Sequence, residues 1–217
     1  MATLLRSGDL IPPQQPRLLA APIEYSSDYM EQYSNTLRLY FNQLQNYFQS
    51  ISTNTGGALI KFPYGAFSSN VTQTATVNTA TLMTLNTTDF SNSVSISSSK
   101  ITVTNAGIYN LQFSVQLENT NNAPQDVYIW LKQNGTDITG STGVVGMPAR
   151  KTPADPFHAI YGWNYFVNMA ANDYIEIYWS TTNADVSIQY YAASGTPTKP
   201  ATQSVVATLS FVSAVGP

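Results

Sequence analysis

The sequence predicts a mainly β protein, an antiparallel sandwich preceded by an extended arm and one amphipathic helix, and three observations predict it. From about residue 62 onward apolar residues recur at every second position in short runs, the pattern of strands with one face buried. Gly, Asn and Pro turns separate those runs with no helical period between them, which selects antiparallel pairing over a parallel sheet with crossover helices. Ahead of residue 52 the apolar spacing is three and four instead, over a single stretch. With 217 residues, 43% of them hydrophobic, the chain can build one substantial core and an appendage.

Residues 1–23 carry Pro12, Pro13, Pro16 and Pro22, which block helix propagation and favour an extended docking arm. Residues 24–52 are predicted helical, beginning near Asp28, where Asp28 and Glu31 have the spacing of a capping box. Met30, Tyr33, Leu37, Tyr40, Leu44, Tyr47 and Ile51 fill a heptad pattern, one apolar seam over roughly 36 Å. Phe41 and Phe48 widen it beyond what a two-stranded coiled coil needs. Such a seam is packed either on the chain's own domain or between chains. A trimer-forming stem is the reading taken here. Gly56 and Gly57 mark a hinge over residues 53–61, and residues 62–217 form the head.

In the head, "YNLQFSVQL" from Tyr109 puts Tyr109, Leu111, Phe113, Val115 and Leu117 on one face and Asn, Gln and Ser on the other. Further strands are expected at "KITVT" from Lys100, "QDVYIWLKQ" from Gln125, "GWNYFVNM" from Gly162, "DYIEIYWS" from Asp173, "DVSIQYY" from Asp185 and "SVVATLSFV" from Ser204. "QNGTD" at Gln133 carries the Asn-Gly signal of a type I′ hairpin. Eight to ten short strands without intervening helices describe an antiparallel sandwich.

Composition narrows the chemistry. Charged residues make up 10% of the chain and the net charge is −3, so no basic surface suits nucleic acid. No run approaches 18 apolar residues, and the amino-terminal segment lacks a signal peptide's apolar stretch; no membrane insertion is expected, and assembly inside a cell is. With no cysteine and His158 as the only histidine, thiol nucleophiles and paired-imidazole sites are excluded. Neither enzyme activity nor a cofactor is expected. Asp126, Asp137, Asp155, Asp173 and Asp185 read as turn carboxylates; a Ca²⁺ site would require them to meet at one end of the sandwich. The aromatic run "FHAIYGWNYF" from Phe157 reads as strand packing, and the loop holding Arg150, Lys151 and Asp155 is the candidate exposed recognition loop.

Several of these stretches resemble the globular head of complement subcomponent q, a trimeric jelly roll shared with the tumour necrosis factor family. "YGAFSS" at Tyr64 is similar to its opening strand, "KITVTNAGIYNLQFSVQL" to its Gly-x-Tyr turn and long aromatic strand, and "VYIWLKQNGTDI" to its strand and Lys-x-Asn-Gly turn. Gly107, Tyr109, Phe113, Lys132, Asn134 and Gly135 are the matching positions; "MAANDYIEIYW" matches at Asp173, with Asn172 in place of Gly. The connection "TGVVGMPARKTPADPFHAI" is longer than the family's. Residues 10–51, with "LIPPQQP" and "EYSSDYMEQYSNTLRLYFNQL", resemble amino-terminal segments of bacteriophage virion proteins, cyanophage ones especially. Together the resemblances imply a homotrimeric jelly-roll virion protein, a decoration or short fibre. Residues 1–51 would attach it to capsid, neck or tail proteins, with the head free to contact a host surface glycan or protein. The alternative is a secreted trimeric ligand or adhesion module of the same fold.

Overall fold

The computed structural model describes residues 12–52 and 62–214, in two compact units, Met1–Lys61 and Phe62–Pro217. The predicted hinge and the first part of the arm lie outside the described residues.

In the first unit residues 12–26 have no regular secondary structure, and α1 spans Ser27–Ser52. Its start corrects the expected cap. Ser26, not Asp28, caps the helix: its Oγ accepts the Tyr29 N–H at 3.3 Å, and its carbonyl accepts Met30 N–H at 3.1 Å as the first helical bond. Asp28 instead sits within the first turn, where a carboxylate favours the positive end of the helix dipole. No described helix is long and apolar enough to cross a membrane.

The second unit is an antiparallel jelly roll of two sheets. The first contains β1 (Tyr64–Ser69), β2 (Gln73–Thr74), β4 (Thr87–Asn92), β7 (Gly107–Asn119), β11 (Phe157–Met169), β13 (Val186–Ile188) and β16 (Val205–Ser213). β11 pairs with one edge of β7 along all thirteen residues; β16 and β13 share the other edge, and β1 and β4 continue beyond β16. The second contains β3 (Thr81–Leu82), β5 (Val94–Ser97), β6 (Lys100–Val103), β8 (Gln125–Gln133), β9 (Thr136–Asp137), β10 (Gly143–Met147) and β12 (Tyr174–Thr181). Its order is β10-β8-β12-β6-β5. A small hairpin of β14 (Ser194–Gly195) and β15 (Thr198–Lys199) stands apart from both.

The alternation read in β7 and β8 is the alternation observed, with Tyr109, Leu111, Phe113, Val115 and Leu117 inward against Val127, Ile129 and Leu131. Trp179 is the largest fully buried side chain. Asn134 and Gly135 have φ of 52° and 80°, the left-handed pair a type I′ turn requires, and they join β8 to β9. Differences from expectation cluster where the apolar alternation is weak. β11 starts at Phe157 rather than Gly162, β13 stops at Ile188, and β10 occupies part of the long connection. β2 to β4, in Ser, Thr and Asn-rich sequence, carry no clear period, and β5 alternates Val94 and Ile96 with serines over only four residues.

At one edge of the sandwich β10 of the second sheet meets β11 of the first. A Cβ on Gly143 of β10 would lie 1.5 Å from the Trp163 ring of β11, so the absence of a side chain there is what admits the indole. Trp163 also stacks on Phe113 with centroids 6.3 Å apart.

Candidate functional site

The seam predicted on α1 lies along one side of the helix. Tyr33, Leu37, Tyr40, Leu44, Tyr47 and Ile51 are half-buried, while Met30 is 45% exposed. Rings along the helix shield one another: Tyr29 stacks on Tyr33 at 6.1 Å, and Tyr40 meets Phe41 at 5.8 Å. Phe41 remains 59% exposed. The arm returns along the first turns, where Tyr29 Oη donates to the Leu19 carbonyl at 3.2 Å.

In the head, the outer face of the first sheet forms a second apolar surface. Strand parity turns Tyr64, Phe90, Ile160, Phe166 and Val206 outward, and all are exposed, Ile160 at 70%. Between them lie Asn110, Gln112, Ser114, Asn164, Thr208 and Ser210. Apart from Asp89 in β4 and the Glu118–His158 pair at one end, the strands of this face carry no charged group: β1, β16 and the rest of β7 and β11 have neither Lys, Arg, Asp nor Glu. Where Gly162 supplies no side chain the face is indented, a hollow of about 510 Å³ over Gln112, Ser114, Asn164 and Val206. Among the described residues β11 pairs with β7 alone, leaving its other edge open.

The positions marked by resemblance have local structural reasons. Gly107 lies where a Cβ would come within 2.4 Å of the Phe211 ring, and Tyr109 meets that ring edge-on at 5.6 Å. Tyr109 Oη donates to the Asn105 carbonyl at 2.8 Å, and burial raises its pKa above the ordinary phenol value. Asp173 draws Asn134 and Gln133 together. Its carboxylate accepts from Asn134 Nδ2 at 2.7 Å, Gln133 Nε2 at 2.9 Å and the Ala170 N–H at 2.8 Å, and the Asn134 bond contributes most to lowering its pKa. Asn172 has φ 68°, a left-handed conformation that Gly or Asn accepts.

The candidate recognition loop is partly tied down. Arg150 Nη1 donates to the Thr120 carbonyl at 3.2 Å, while Lys151 and Asp155 pair with each other at 3.6 Å, both exposed. The turn carboxylates do not converge: no group of three or more His, Asp or Glu among the described residues could hold a metal ion. His158 has polar neighbours that its flanking sequence does not contain. Glu118 and Tyr191, remote in sequence, stand beside it. The register of β11 on β7 sets His158 opposite Glu118, the chain beyond β13 returns Tyr191 to them, and no spacing signal announces it.

No family profile matches the chain, and no curated protein matches it. Among solved structures, the chain is similar to the globular domain of the zebrafish complement 1qA protein, with 10% identity, a TM-score of 0.42, and coverage of 71% of this chain and 100% of that one.

Proposed function

We propose that the chain is a non-enzymatic structural protein that assembles as a homotrimer through α1 and the outer face of the first sheet. Its arm and helix attach it to a larger particle, a phage virion, and the head is displayed. The observation that carries the reading is the filled heptad seam of α1, flanked by an exposed Phe41. Support comes also from the head, where exposed apolar residues share a face nearly free of charge, the composition of an interface core. A second copy of this chain is the occupant such a surface suits, because it also covers the open edge of β11. Attachment to a virion rests on the resemblance of residues 10–51.

Leu44→Asp tests the stem. Three carboxylates in one apolar layer disfavour one another and their own desolvation. Assembly is expected to weaken in a concentration-dependent way and to recover partly in acid. A lowered melting temperature with no concentration dependence contradicts the stem. For the arm, a deletion of residues 1–23 is expected to leave the oligomer folded and to abolish incorporation into particles. Normal incorporation of the truncated chain places attachment elsewhere.

A further inference from the structure

One end of the first sheet carries a polar hollow that the assembly reading does not use. A flap over residues 190–202, which contains β14 and β15, is pinned at its base where Tyr191 and Thr202 exchange both backbone hydrogen bonds, at 3.1 and 2.8 Å. It brings Tyr191 to β7 and β11 and sets Lys199 Nζ 5.2 Å from the Tyr191 ring centroid. Gln116, His158, Tyr191, Lys199 and Thr202 enclose about 240 Å³.

The acidic group of this cluster is already engaged. Glu118 is buried, and its carboxylate accepts from Tyr191 Oη at 2.6 Å and from Gln189 Nε2 at 3.1 Å. The phenol has one proton, and so short a contact commits it to Glu118. Burial first, and Glu118 second, push the Tyr191 pKa well above the ordinary phenol value. The Tyr191 oxygen is then an acceptor, and His158 Nδ1, 2.9 Å away, carries the hydrogen donated to it. His158 Nε2 is left over. Among the described residues Lys199 has no ion pair, and the side chains of Gln116 and Thr202 have no hydrogen bond. The hollow therefore gathers unused donors around one uncompensated cation.

We propose that this hollow binds a small carboxylate anion of about monosaccharide size, with Lys199 as its charge partner. Gln116 and Thr202 supply the remaining polar contacts. A singly charged ligand is favoured because Glu118 behind the Tyr191 hydroxyl repels a doubly charged phosphate. Size points the same way, since the hollow is below the roughly 300 Å³ at which drug-sized ligands are held. The groups facing His158 are Glu118 from β7 and Tyr191 and Lys199 from the flap.

The test is calorimetric titration of the full chain with glucuronate, acetate and neutral glucose. Glucuronate is expected to bind, and glucose not to. Lys199→Gln is expected to weaken binding by roughly tenfold or more, the loss of one charge-assisted contact. Acetate binding supports recognition of the carboxylate alone; glucuronate binding without acetate binding supports recognition of the ring as well. The proposal is overturned if neither acid binds saturably, if glucose binds as well as glucuronate, or if Lys199→Gln binds like the parent. Lys199 is exposed, so this variant folds.

Discussion

The two outer faces of the sandwich are built from similar side chains and leave them in different states. On the second sheet Trp130 and Tyr178 lie 5.9 Å apart, and Trp130 Nε1 donates to Asp137 at 2.8 Å. Lys132 sits 4.5 Å above the Tyr178 ring and 3.4 Å from Asp137, and Lys100 sits 4.2 Å above Tyr174. The chain's own charges thus cover that face, leaving Val144 as its exposed large apolar side chain. On the first sheet Phe90, Ile160, Phe166 and Val206 have no such cover among the described residues, and hardly any charge stands near them. Aromatic content does not mark an interface. What marks one is aromatic and aliphatic surface that the same chain leaves without polar partners.

The largest effect is expected where the faces are joined. Gly143→Val puts branched carbons into the Trp163 ring, an overpacking that costs about 1–3 kcal/mol or more. It should lower the melting temperature at every protein concentration, and Trp163→Leu in the same chain should recover part of the loss. A Gly143→Val chain that melts like the parent means the edge is held by other contacts.

Ile160→Asp with Phe166→Asp should shift the protein toward smaller species, each central apolar anchor being worth about 2 kcal/mol of association. Val144→Asp, as exposed but on the second sheet, should leave the size distribution unchanged. Equal effects from both faces would erase the distinction.

Smaller effects sharpen the account of the second sheet. The folded pKa of Asp173 is depressed, so its contribution to stability is complete above the unfolded value near 3.8 and is lost as the pH falls through the lower folded value. The stability difference between parent and Asp173→Asn should therefore be present at neutral pH and vanish in strong acid. A difference that does not change with pH denies the network a charged carboxylate. Lys132→Ala should have the smallest consequence, about 0.5–1 kcal/mol in chemical denaturation, from a cation over a half-exposed ring. A loss several times larger would mean that Lys132 anchors the face rather than covering it.

Much of the head was legible because β7 and β8 alternate strictly and Asn134-Gly135 has one good backbone solution. β2 to β4 were not, since Ser, Thr and Asn give no apolar period to count, and β5 alternates over too few residues to stand out. The apolar seam of α1 could be read from spacing alone, but the apolar outer face of the first sheet could not. It requires knowing which strands are neighbours: Phe166 and Tyr64 reach the same face through β7 and β16, which pair Asn110 with Phe166 and Ser210 with Tyr64. The Glu118, Tyr191 and His158 cluster was hidden for the same reason, its members being 33 and 73 residues apart along the chain.

Sedimentation equilibrium of the 217-residue chain at micromolar concentration tests the central claim most directly. A species of three times 23.7 kDa is expected, dissociating on dilution when Leu44 is replaced by Asp. A stable species of 23.7 kDa across that concentration range would contradict both the stem and the assembly face of the first sheet.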